Sequence, residues 1–128
     1  MSVETVFKGV YPIGDENLSA LPVKEIGPAV TFYQKVLGFS VISSDLTLAE
    51  LKRGEARIGL IRKADHDPGK AGSCYFDVSD VEALRRELAN NGGNPGECDI
   101  ENHGGKQYRA FFLREDENGY CFCFGQPA

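Results

Sequence analysis

The sequence predicts an α+β fold in which one β-α-β-β-β module occurs twice in tandem. Three observations predict it. Two stretches with helical spacing each follow a short apolar extended segment. An offset of 55 residues carries Val23-Lys24-Glu25-Ile26 onto Val78-Ser79-Asp80-Val81, so the two strand–helix junctions read as copies. Each helical stretch is then followed by three extended pieces separated by turn formers. The modules are expected at residues 18–64 and 73–126, joined by a linker at 65–72, with residues 1–17 as an N-terminal extension.

Within that extension "ETVFKGVY" offers one extra edge strand. Residues 18–24 (LSALPVK) are apolar and extended. Pro28 suits a first helical turn, where its missing N–H costs nothing. Ala29, Phe32, Tyr33, Val36 and Leu37 recur at helical spacing and form one buried stripe. Gly38 provides the left-handed stop, with Phe39 placed to fold back on the last turn. Strands are expected at 39–44, 46–52 and 56–62, with Arg53-Gly54-Glu55 turning the second into the third.

The linker "KADHDPGKAG" is polar and rich in turn formers. Residues 73–78 (SCYFDV) are the next strand. Ser79 and Glu82 have the spacing of a capping box. Val81, Leu84 and Leu88 form the apolar face of the second helix, Glu82 and Arg86 are placed to pair, and Asn91-Gly92-Gly93 ends it. Strands at 98–103, 107–114 and 120–125 follow, the last two joined through Asn118-Gly119, a dipeptide favoured by tight hairpins.

Composition bounds the function. A chain of 128 residues with 41% hydrophobic and 26% charged side chains suits a soluble globular protein. A net charge of −5 argues against nucleic acid, whose binders use Lys and Arg to displace counterions. No apolar run approaches the roughly 20 residues that span a bilayer. The N-terminal residues lack the pattern of a secretion signal. Cys74, Cys98, Cys121 and Cys123 lack zinc-site spacing and read as reduced thiols, so a cytoplasmic location is expected.

Three stretches, "LPVKEIGPAVTFYQKVLGF", "YFDVSDVEALRRELANNGG" and "YRAFFLREDENGYCFCFGQ", resemble the vicinal oxygen chelate superfamily in order and spacing. That superfamily includes glyoxalase I, extradiol dioxygenases, fosfomycin-modifying enzymes and bleomycin-resistance proteins. Together the stretches cover about residues 18 to 126, and Asp116-Glu117-Asn118-Gly119-Tyr120 stands where the family often has Asp-Pro-Asp-Gly-Asn. The resemblance implies that the modules form a cupped mixed sheet with helices on its outer face. In the metal enzymes of the family, His, Glu, His and Glu from four strands line the cup. The flanking motifs place those positions at Leu18, Gly59, Ser73 and Cys123, and Leu18 and Ser73 share the repeat's offset. Imidazole or carboxylate donors are what such an ion needs. The expectation is therefore a chain without the family metal and without a cofactor.

If Ser73 faces the cup, strand alternation brings Tyr75 and Asp77 with it and sends Cys74, Phe76 and Val78 to the helices. Arg57, Gly59 and Ile61 face inward on one strand, and Cys121, Cys123 and Gly125 on another. On 107–114 either Arg109, Phe111 and Leu113 or Tyr108, Ala110 and Phe112 face the cup. The expected ligand-binding set is Arg57, Ser73, Tyr75, Asp77, Arg109, Phe111 and Cys123, with no catalytic residue. Aromatic walls with a few charged groups suit a small organic molecule. Arg57 and Arg109 could hold a carboxylate or phosphate, or pair internally with Asp77.

The absent metal and the ending "GYCFCFGQ" resemble the bleomycin-resistance branch, which implies a homodimer that holds a small molecule, antibiotic-like or other, at its interface. Two other readings stand beside sequestration or sensing. One is a lyase, isomerase or transferase of this fold, using Asp77 as a base, Cys123 as a nucleophile, or a displaced metal at Asp99, Glu101 and His103. The other is a scaffold whose cup is filled by Tyr75, Phe111 and the cysteines. His66 and His103 are expected in solvent, and buried cysteines act most often as small hydrophobes.

Overall fold

The computed structural model describes residues 5–13, 17–115 and 117–128. Its elements run β1 (Phe7–Ile13), β2 (Leu21–Val23), α1 (Ile26–Lys35), β3 (Ser40–Ser44), β4 (Leu48–Arg53) and β5 (Ala56–Arg62). After a 3-10 turn (Pro68–Lys70) come β6 (Ser73–Val78), α2 (Val81–Asn90), β7 (Asp99–His103), β8 (Lys106–Arg114) and β9 (Cys121–Pro127). The α+β class and the twofold β-α-β-β-β plan are those the sequence predicts. The first module forms a four-stranded sheet in the order β2-β5-β4-β3. The second forms β6-β9-β8-β7, and β1 extends it antiparallel to β6.

Both helices pack on the backs of the sheets, and one apolar core runs through the molecule. Ile26, Ala29, Val30, Tyr33 and Leu37 supply the first helical stripe, and Val81, Leu84 and Leu88 the second. Helix α1 meets the second sheet through rings: Phe32 stacks on Phe122 of β9 at 6.2 Å, and Tyr33 meets the same ring at 5.7 Å. β1 does more than cover an edge. Its Phe7 is fully buried and touches Phe39, Phe76 and Phe124 at 5.7–6.2 Å.

Three local expectations change. The first strand is three residues long, because residues 18–20 turn instead, Ala20 N–H donating to Asn17 O. The cap of α2 is Asp80, whose carboxylate accepts Ala83 N–H at 3.1 Å. Ser79 Oγ accepts Val6 N–H at 2.7 Å instead and anchors the start of β1. Glu82 pairs with Arg109 of β8, not with Arg86. Gly38 ends α1 as expected, at φ +72°, and Phe39 N–H returns to Tyr33 O at 2.9 Å.

The linker is docked. His66 is half-buried, stacks on Tyr120 at 5.7 Å and donates from Nε2 to the Asn118 carbonyl at 2.8 Å. Asn118 is buried between β8 and β9. It donates its backbone N–H to the Glu115 carboxylate and accepts Lys24 N–H at 3.0 Å. Tyr120 OH reaches Pro22 O at 2.6 Å. The hairpin loop thus ties the second module to the first. Asp116 lies outside the described residues.

Candidate functional site

Strand alternation gives each sheet one face against the helices and one face away from them. In β6 the burial pattern alternates strictly: Cys74, Phe76 and Val78 are buried, while Ser73, Tyr75 and Asp77 are half-exposed on the outer face. Register then fixes which neighbours share that face, because directly paired residues point the same way. Tyr75 lies beside Tyr11 of β1 and Cys123 of β9, and Asp77 beside Gly9 and Gly125. Across the β8–β9 ladder, Cys123 pairs with Phe112, Gly125 with Ala110 and Pro127 with Tyr108.

The outer face of the second sheet therefore carries Tyr108, Ala110 and Phe112. Arg109 and Phe111, expected in the ligand set, are turned to the helix side. Phe111 is fully buried, paired with Phe124 and stacked on it at 5.1 Å, so it belongs to the core. Arg109 reaches α2 and pairs with Glu82. The reason is register: once Phe122 and Phe124 point into the core, β8 must present Phe111 and Leu113 beside them.

On that outer face Tyr11, Ile13, Tyr75, Asp77, Tyr108 and Pro127 line a depression of about 500 Å³. Its walls are mostly apolar, and Asp77 is the one carboxylate among the described residues that line it. Tyr75 and Tyr108 meet edge to face at 6.1 Å, their planes 75° apart, and form a corner. Burial, and then the Asp77 carboxylate, raise the Tyr75 phenol above its usual range, so it is a neutral hydrogen-bonding group here. Sequence reading missed Tyr11, Ile13 and Pro127, and left Tyr108 as one of two open alternatives for its strand. The signal for Tyr11 was present, since the extra edge strand was legible, but not which strand it joins.

Arg57 and Gly59 lie elsewhere, on the outer face of the first sheet. They share a depression of about 420 Å³ with Leu18, Ser19, Ser43, Leu48 and Glu50, and no described residue lines both depressions. Arg57 is committed to Glu50 at 2.8 Å. Neither arginine pairs with Asp77, so the internal ion pair and the two-arginine anion site are both set aside.

The four positions that the resemblance assigns to the family's metal carry no donor set that fits an ion. Leu18 and Gly59 lie on the first sheet's depression, Ser73 and Cys123 on the second sheet's outer face. Leu18 O is occupied by Gly59 N–H at 2.8 Å. Gly59 is also closed to any side chain, because a Cβ there would stand 2.0 Å from Ser19 O. Among the described residues no three His, Cys, Asp or Glu side chains gather as a metal group. The side chain of His103, part of the alternation with Asp99 and Glu101, lies outside the described residues.

Cys123 is buried on the Tyr75 row. Burial chiefly, with Cys121 and Glu101 adding to it, pushes its thiol up to about 12. Burial also raises Cys121. A nucleophilic cysteine needs the opposite shift, and Cys123 does not line the depression. The cysteines and Tyr75 leave the depression open, and Phe111 takes no part in it.

A profile of the Glyoxalase/Bleomycin resistance protein/Dioxygenase superfamily matches residues 17–124. No curated protein matches the chain significantly in sequence. Among solved structures, a bleomycin resistance determinant encoded on transposon Tn5 is similar with TM-score 0.74 and 20% identity, over 88% of this chain and 98% of the other. A bleomycin-binding protein complexed with bleomycin has TM-score 0.74 and 19% identity over 89% and 99%. The bleomycin-binding protein of Streptomyces verticillus, complexed with copper(II)-bleomycin, has TM-score 0.66 and 24% identity over 84% and 92%. At these identities the likeness is one of fold. The profile spans most of the sequence, and the chain belongs to the Glyoxalase/Bleomycin resistance protein/Dioxygenase superfamily.

Proposed function

We propose that the protein binds a small organic molecule between outer strand faces contributed by two copies of the chain, and holds it without metal-dependent turnover. The carrying observation is the depression bordered by Tyr11, Tyr75, Asp77 and Tyr108: mostly apolar, large enough for a drug-sized fragment, with one charge to orient it. The unsuited donor set at Leu18, Gly59, Ser73 and Cys123 and the raised Cys123 thiol support holding over chemistry. Two of the similar structures are named for binding bleomycin, which supports small-molecule binding as the class of function. All four cysteines are free thiols, which supports a reducing cytoplasmic setting. Among the described residues no helix is long and apolar enough to cross a membrane.

The test is a thermal-unfolding screen of the purified protein against small organic compounds of each charge type. A ligand at 100 times its dissociation constant adds about 2.7 kcal/mol of stability, several degrees for a chain of this size. The expected outcome is a saturable rise in Tm for one chemical class. A flat response across all classes would count decisively against the reading.

A further inference from the structure

The geometry points to an organic cation as the ligand of the Tyr11–Tyr75–Tyr108 depression, with Asp77 as its counter-ion. The inference deepens the small-molecule reading above and rests on it. Gly9, Asp77 and Gly125 form one row across three strands. Each glycine is covered by a phenol. A Cβ at Gly9 would stand 3.0 Å from the Tyr11 hydroxyl, and one at Gly125 only 2.4 Å from that of Tyr75. Two missing side chains thus let two rings fold down on either side of one carboxylate.

Tyr108 stands beyond Tyr75, its plane turned 75° from that ring, and completes the wall. Rings flanking a carboxylate present negative π faces around a negative charge, and the group that satisfies both is a cation with an apolar shell. Glu101 pairs with Tyr108 and Asp99 with Ala110 on the same face, which adds carboxylates nearby. Lys106 and Arg114 lie on the same face of β8, but neither lines the depression, where Asp77 is the one charged group among the described residues. Arg57 is held by Glu50 on the other sheet and Arg109 by Glu82 on the helix side. Rings over glycines also serve sheet packing, but packing alone has no use for Asp77 between them.

The experiment is an NMR titration of the intact protein with benzyltrimethylammonium, benzyl alcohol and benzenesulfonate, following the tyrosine ring resonances. The expected result is saturable binding of the ammonium at least about tenfold tighter than of the other two, with shifts at Tyr11, Tyr75 and Tyr108. Asp77→Asn should weaken the ammonium about tenfold or more while leaving benzyl alcohol unchanged. Tyr11→Leu, at a position 54% exposed, should weaken it without unfolding the chain. Equal or tighter binding of the neutral or anionic probe in this depression would overturn the cation assignment and leave small-molecule binding standing. Unchanged ammonium affinity in folded Asp77→Asn would also overturn it. No binding by any probe would overturn both.

Discussion

Cys123 shows how environment decides what a residue can do. Its neighbours on the strand face are Tyr75 and Phe112, and no cation is among the causes that set its thiol. With the thiol at about 12, the thiolate at pH 8 is roughly one molecule in ten thousand. Alkylation by iodoacetamide at pH 8, followed by peptide mass spectrometry, is therefore expected to label Cys123 at least about a hundredfold more slowly than an unstructured peptide thiol. The sign follows from acid–base balance: labelling rises about tenfold per pH unit while the protein stays folded. Fast labelling of Cys123 in the folded protein at neutral pH would revive it as a nucleophile. The sequence placed this residue on the correct face by alternation alone. The raised pKa of its thiol comes chiefly from burial by residues of other strands, which no local pattern records.

At the scale of elements, alternation within each strand was legible and pairing between strands was not. β6 reads correctly from SCYFDV, because apolar and polar residues alternate there. In β8 both faces are partly apolar, so Arg109 and Phe111 seemed as good as Tyr108 and Phe112. Only the ladder to β9, which sets Phe111 against Phe124, decides. Gly59 is a second case. Its identity was clear, but the close approach of the Ser19 backbone was not, since β2 and β5 pair in parallel across a helix and two strands. The consequence is testable. Gly59→Ala is expected to destabilise the fold by about 2 kcal/mol or more, as overpacking against backbone does, measured by urea unfolding. A neutral Gly59→Ala would mean that residues 18–20 give way easily, and a donor side chain at this position would then be admissible.

At the scale of the molecule, one core joins the backs of two sheets and leaves both outer faces to solvent. Ion pairing closes the seam: Arg53 of β4 grips Glu87 of α2 through two hydrogen bonds of 2.6 and 2.8 Å and lies 4.6 Å from the Phe7 ring centroid. The modules are thus held back to back, and their outer faces cannot meet within one chain. In one copy Tyr11, Phe112, Leu46 and Leu48 are 54%, 43%, 88% and 51% exposed, which is much apolar surface for a monomer to leave uncovered. Charge favours laying one copy's first sheet against the other's second. Lys52 and Arg57 outnumber Glu50 on the outer face of the first, and Asp77, Asp99 and Glu101 outnumber Lys106 and Arg114 on that of the second. In the proposed dimer a twofold axis would repeat the contact and make two equivalent composite cups. Sedimentation equilibrium at micromolar concentration is expected to give twice the mass of the chain. Leu48→Asp, an exposed change that spares the core, should weaken association at least about tenfold, because it buries an unpaired carboxylate in the interface. The same variant should weaken ligand binding at Asp77, which lies on the other sheet and has no contact with Leu48 inside the chain's own depressions. A wild-type chain that stays monomeric near 100 µM, on the order of a weak complex's dissociation constant, would leave each depression a half-site and count against pairing as the way it is closed.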